Sequence, residues 1–280
     1  DQVPELAGQL VGRTGGLKLL NRVSAEGTAA CYLDVDQTAK TVLVANYSSG
    51  SVASLPVKAD GSLAPKASFF QHAGASVNPK RQKEPHAHCI VVSPDNKYAF
   101  AADLGTDQIL CYKLDPAAAK LTPNDPPFAK SPPGAGPRHL TFHPNGKRAY
   151  VINELDSTVS ACHWNAETGA LQPFQVVSAL ADTTTGHSRA AAITVHPAGH
   201  TVYASNRGED SIAVLAVDAG TGRLRLLQTM PSAGRTPRAC TLSPEGRWFY
   251  ALNEDSDSIV TLAVDAQSGR LSATGQTLAC

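Results

Sequence analysis

Five copies of one strand–turn–strand pattern, recurring about every 50 residues, and the lack of sustained amphipathic helical periodicity predict an all-β chain. A repeat of that length fits a blade of four antiparallel strands, so the predicted fold class is a β-propeller. The copies start at Cys31, Cys89, Leu140, Ile193 and Cys240. The Asn or Asp that closes the second run of each copy falls at Asn46, Asp103, Asn153, Asn206 and Asn253. A β-sandwich fits less well, because it does not repeat a four-strand unit five times.

The elements follow in order. The opening, DQVPELAG, has no charged n-region and no apolar h-region, so no signal peptide is visible. It also lacks an initiator Met, and the chain is expected to be processed or trimmed. GGLKLLNRV, from Gly15, reads as the outer strand of a partial unit. Within each full unit the first two runs are rich in β-branched and aromatic residues, and the first alternates, as in Ile193 and Val195 against Thr194 and His196. Turns of one class separate these runs: SPDN at Ser93, HPNG at His143, HPAG at His196 and SPEG at Ser243. Pro fixes φ at the second turn position, and His143 and His196 are expected to cap their turns as the serines do. A third run follows, such as Ile212 to Leu215. A second turn class, as in DAGTGRL from Asp218, leads to a fourth strand such as LRLLQTM from Leu224. The Pro- and Gly-rich PNDPPFAKSPPGAGP before Arg138 reads as a loop between blades.

Antiparallel pairing sorts these connections onto two faces. The HPNG-type and DAGTGRL-type turns share one face and are uniform. The other face collects the D–A connections and the B–C turns, which differ from unit to unit and carry unusual charges. Variable loops on a repeating scaffold are where a site is expected. The D–A connections bring Arg81, His86, His88, Arg138, Arg189 and Arg238. The B–C turns bring Asp103, Glu154 and Arg207, besides Tyr47 and Glu254. In a radial fold these are expected to converge near the central channel. Arginines suit a carboxylate or phosphate ligand, and a His or Glu beside them suits general acid–base work on a lactone or its open form. The HxH pair, His86 and His88, has metal-ligand spacing, but no third ligand is marked, so no metal is expected. Asn153, Asn206 and Asn253 recur at one repeat position, where bonding to the turn backbone is the plain expectation.

Composition removes several functional classes. Lys+Arg and Asp+Glu both total 24, so a nucleic-acid footprint has no support. No apolar run reaches 18 residues, so no transmembrane helix is expected. None of the six cysteines forms a CxxC pair, and buried thiols in a reducing compartment are expected.

Three stretches resemble a known family. They are GPRHLTFHPNGKRAYVINELDSTV, RQKEPHAHCIVVSPDNKYAFAADLGTDQI and LVANYSSGSV. They look like the motifs of the seven-bladed β-propeller lactonases, of the 6-phosphogluconolactonase and carboxymuconate cyclase type. The resemblance implies metal-independent lactone hydrolysis, or its reversal, without a cofactor. It implicates His86 or His88, Arg138, Glu154 and Arg207, with His88 or Glu154 as base and arginines holding the anionic substrate. Arg81, Asp103, Arg189 and Arg238, on the same face, are expected to bind substrate with His86. Seven blades would need roughly 350 residues. The 280 residues are therefore expected to be one incomplete propeller domain, truncated at both ends, with five full blades and a partial one. The expected function is hydrolysis of a sugar lactone, 6-phosphogluconolactone first, by a cytoplasmic monomer that binds neither nucleic acid nor membrane. The alternatives are a carboxymuconate-type cyclase and a non-catalytic ligand-binding propeller. A periplasmic or secreted location stays open.

Overall fold

A computed structural model describes residues 5–11 and 16–280, with the backbone alone over 7–11. The chain divides into two compact units, Asp1–Pro133 with Ala166–Ala170, and Gly134–Asn165 with Leu171–Cys280. The described residues are almost wholly strand and turn, in one two-stranded and five four-stranded antiparallel sheets.

The first unit begins with β1 (Glu5–Val11) paired to β2 (Leu17–Ser24). β2 is the outer strand read from GGLKLLNRV, whose Gly15 lies outside the described residues; no sequence signal marks β1. The first full sheet follows as β3 (Ala30–Val35), β4 (Thr41–Asn46), β5 (Ser51–Pro56) and β6 (Ser68–Gln71). The second is β7 (Ala87–Val92), β8 (Tyr98–Asp103), β9 (Gln108–Asp115) and β10 (Lys120–Lys130). β10 corrects the expectation for PNDPPFAK, which is strand rather than loop. An outermost strand has one unpaired edge, so it accepts prolines that an inner strand would reject. The ladder shifts register between Pro123 and Phe128 to accommodate them.

The second unit holds three sheets. They are β11 (Pro137–Phe142), β12 (Arg148–Asn153), β13 (Thr158–Trp164) and β14 (Leu171–Ser178); then β15 (Arg189–Val195), β16 (Thr201–Arg207), β17 (Ser211–Val217) and β18 (Leu224–Pro231); then β19 (Pro237–Leu242), β20 (Trp248–Asn253), β21 (Ser258–Val264) and β22 (Leu271–Ala279).

Sheets within a unit stack face to face. Leu43, Ala45 and Val52 pack against Ile90, Ala101 and Tyr112 in the first unit. In the second, Tyr150, Ile152 and Val159 pack against Val202, Ala204 and Leu215, while Tyr203 and Val214 pack against Phe249 and Leu262. β8 and β12 are buried throughout, which is why these strands read as continuous apolar runs. Each fully buried Phe or Leu contributes about 1.5–3 kcal/mol. All six cysteines are thiols, but the expected burial holds for only part of them: Cys89, Cys111 and Cys162 are buried, Cys240 is half-buried, and Cys31 and Cys280 are exposed. Burial pushes the Cys111 and Cys162 thiols up to about 12, which leaves them unreactive.

The turn histidines do more than cap. His143 Nδ1 accepts from the Asn145 N–H, and its Nε2 donates to the Gly199 carbonyl of the next sheet. His196 repeats this with Ala198 and Gly246. Each imidazole thereby ties two neighbouring sheets of the second unit together.

Candidate active site

Every four-stranded sheet carries the same irregularity at one end of its first strand. The residue opposite the closing Asn or Asp of the second strand is Ala30, Ala87, Pro137, Ala190 or Pro237. The ladder shifts register directly after it. The extra residue is Cys31, His88, Arg138 or Arg238, and in the fourth sheet it falls within Ala191–Ala192. Such a bulge turns a side chain out of the ladder's alternation and is enriched beside active sites. Three of the arginine and histidine candidates occupy these positions. The residue after the closing Asn or Asp is Tyr47, Leu104, Glu154, Arg207 or Glu254, so it and the bulge residue sit at the same end of each sheet.

The Asn at the end of the second strand builds this end. Asn46, Asn206 and Asn253 donate through Nδ2 to the carbonyls of Ala25, Ala179 and Ser232, in the connection that leads into the first strand. Asn153 instead bonds Thr158 and Ser160. Asp103 does this work in the second sheet. Its Oδ1 accepts the backbone N–H of His86, Gly105 and Thr106, and its Oδ2 lies 2.6 Å from His72 Nδ1. His72 Nε2 is in turn 3.0 Å from the Tyr112 hydroxyl, and all three side chains are buried. Asp103 thus faces inward and holds the His86 segment in place. Gly105 lets that segment lie close, since a Cβ there would sit 1.9 Å from the Glu84 carbonyl.

In the first unit Tyr47 gathers the remaining candidates. Its ring stacks on His86 at 4.5 Å and meets His88 edge-on at 5.2 Å. Its hydroxyl accepts from Arg81 Nη2 at 3.1 Å. His86 Nδ1 lies 3.1 Å from the Tyr47 carbonyl. A carbonyl only accepts, so His86 Nδ1 bears a proton and donates it there. His88 is buried, with Nδ1 3.8 Å from the Cys31 thiol. The sequence marks Tyr47 only as a turn residue and does not single out His72 at all. A variable aromatic after the closing Asn is the available signal for Tyr47.

In the second unit one carboxylate joins two arginines. Glu154 Oε2 lies 3.1 Å from Arg138 Nε and 2.9 Å from Arg207 Nη2. Arg138 and Glu154 are each only 2% exposed. Arg138 also donates to His139 and to the Ala191 carbonyl, and Arg207 to the Ala190 carbonyl. Burial lowers the Arg207 guanidinium from its ordinary value, Glu154 raises it, and the nearby charges of Arg238 and Arg189 lower it further. Arg189 pairs with Arg207 across the ladder, and both line a cleft of about 400 Å³ with Arg238 and His187. Arg238 contacts Glu254 at 3.3 Å. Pro-Arg at the start of the first strand and Asn-Glu at the end of the second recur in the third and fifth sheets, yet one pair is buried and the other lies open. Among the described residues no group of three or more His, Cys, Asp or Glu side chains has an arrangement suited to a metal ion. No described helix is long and apolar enough to cross a membrane.

The family description "Lactonase, 7-bladed beta-propeller" matches residues 6–280. The chain belongs to the seven-bladed β-propeller lactonase family. It is 40% identical over 230 residues to the 6-phosphogluconolactonase of Bacillus subtilis, covering 82% of this chain and 64% of that one. A Formosa agariphila 6-phosphogluconolactonase is 34% identical over 80% of this chain and 64% of its own length. The chain thus spans a little under two thirds of these curated relatives. Among solved structures, the periplasmic gluconolactonase of Pseudomonas aeruginosa superposes with a TM-score of 0.93 at 34% identity, over 99% of this chain and 78% of that one.

Proposed function

We propose that this lactonase-family chain hydrolyses a sugar lactone, with 6-phosphogluconolactone as substrate and 6-phosphogluconate as product. The observation that carries the reading is the buried Arg138–Glu154–Arg207 cluster beside an arginine-lined cleft. The names of the relatives agree with it. Hydrolysis requires water to attack the lactone carbonyl carbon while a base removes its proton. The carbonyl oxygen then carries negative charge, which a fixed guanidinium stabilises. Collapse breaks the bond to the ring oxygen, which takes up a proton and becomes the product hydroxyl. Either Glu154 or His88 serves as the base of the proposal. Arg138 and Arg207 hold the Glu154 carboxylate in orientation and supply positive charge. All the atoms of the water end in product, so the reaction needs no further reactant.

The test compares wild type with Glu154→Gln and His88→Gln on 6-phosphogluconolactone, by titrating the acid released. Loss of the general base is expected to lower kcat by about 10²-fold or more. Glu154→Gln keeps the shape and an accepting oxygen, so a fall in rate reports the lost charge rather than lost packing. Wild-type rates in both variants would remove the assigned residues. Turnover of a carboxymuconate-type lactone in place of the phosphorylated sugar would favour the cyclase branch of the family. The reading places a monomer in the cytoplasm, a setting that suits six cysteines kept as thiols. The periplasmic Pseudomonas relative supplies the contrary case, and cell fractionation decides between them.

A further inference from the structure

We propose that the cleft between the fourth and fifth sheets, lined by Arg189, Arg207 and Arg238, is the subsite for the phosphoryl group of the substrate. This deepens the lactone reading and rests on it for the identity of the substrate. The cleft lies within the second unit, next to Glu154 through Arg207. Its three guanidiniums are in different states. Arg207 is tied to Glu154 and to the Ala190 carbonyl, and its Nε is buried without a partner. Arg238 has Glu254 at 3.3 Å, but both side chains are nearly half exposed, so the pair is weak and readily exchanged. Arg189 is exposed and, among the described residues, its side chain makes no hydrogen bond or ion pair. The charges of Arg189 and Arg238 repel that of Arg207 and add to the lowering that burial causes, while Glu154 opposes it and Glu254 and Asp255 also line the cleft. An anion in the cleft relieves the repulsion.

The number of donors selects the class of anion. A carboxylate offers two oxygens and is satisfied by one guanidinium fork. A phosphoryl group offers three oxygens and close to two charges, which three forks from different directions can share. Gly208 at the rim, with φ of +97°, keeps the backbone low: a Cβ there would sit 2.5 Å from the His187 carbonyl. The cleft's volume, about 400 Å³, holds a phosphoryl group with part of a sugar.

The experiment measures kcat/KM for 6-phosphogluconolactone and for the unphosphorylated glucono-lactone, in wild type, Arg189→Ala and Arg189→Lys. The Arg189 side chain makes no internal contact that folding would miss. The ratio of the two kcat/KM values is expected to fall about tenfold or more in Arg189→Ala. Arg189→Lys, which keeps the charge but loses the fork, is expected to lie between. An unchanged ratio overturns the proposal. Titration calorimetry with inorganic phosphate separates this result from failure of the lactone reading. If no lactone is turned over, weaker phosphate binding in Arg189→Ala still upholds an anion subsite. Equal binding by wild type and Arg189→Ala, or none by either, overturns it.

Discussion

Replacing Glu154 by alanine should destabilise the second unit far more than the same change at Glu254, although the two occupy one position of the repeat. In the third sheet the Glu154 side chain is 3% exposed and contacts Arg138 at 3.1 Å and Arg207 at 2.9 Å. At an effective dielectric of ~20, each such pair attracts by about 5 kcal/mol, and desolvation offsets much of this. Removing the carboxylate does not recover the desolvation cost. It leaves two buried guanidiniums facing one another, and breaking a buried pair in this way costs about 3–5 kcal/mol. In the fifth sheet the Arg238 and Glu254 side chains are 47% and 48% exposed, and water replaces whichever partner is lost. That change is expected to cost about 0–1 kcal/mol. Urea unfolding followed through Trp164 and Trp248 fluorescence gives both values, provided the slope is unchanged between variants. Equal losses, or a loss under about 1 kcal/mol for Glu154→Ala, would refute the claim that burial sets the difference.

Two further outcomes follow from the same structure. Burial alone would raise the Asp36 carboxyl, but hydrogen bonds from Thr38, Asn96 and the Thr38 and Thr41 backbone outweigh it and hold it at about 2. A depressed carboxyl stabilises above its unfolded value, near 3.8, and that stability drains away as pH falls toward 2. Asp36→Asn should therefore lose about 2 kcal/mol at neutral pH and converge with wild type in acid melts; parallel pH profiles would contradict this. Gly208→Ala combines a positive φ with a clash against the His187 carbonyl, and is expected to cost about 1–3 kcal/mol and raise substrate KM. An unchanged Tm with unchanged KM would show that the rim adapts.

The strands, their turns and the sorting of connections onto two ends are legible in the sequence because each rests on local chemistry. Period-two apolar runs and Pro-Asn or Pro-Gly turns state their conformation within a few residues. The buried Arg138–Glu154 contact can be anticipated too, since one hairpin carries both residues. Other features depend on partners distant in sequence. Asp103 resembles a surface acid until His72, from the connection that follows the preceding sheet, lies against it. PNDPPFAK reads as loop because its prolines forbid an inner strand, and only its outermost place permits pairing. Arg238 and Glu254 repeat the motif of Arg138 and Glu154, so sequence does not tell the buried pair from the exposed one. That difference comes from what is packed over each pair.

The register shift in each first strand has an evolutionary consequence. A bulged residue stands outside the ladder, so exchanging it leaves every inter-strand bond in place. Cys31, His88, Arg138 and Arg238 are then alternative occupants of one socket, copied from sheet to sheet. A thiol, an imidazole and two guanidiniums have been fitted there without redesigning the blade that holds them. A scaffold of this kind can acquire new chemistry one socket at a time, with the rest of the repeat as an unchanging frame.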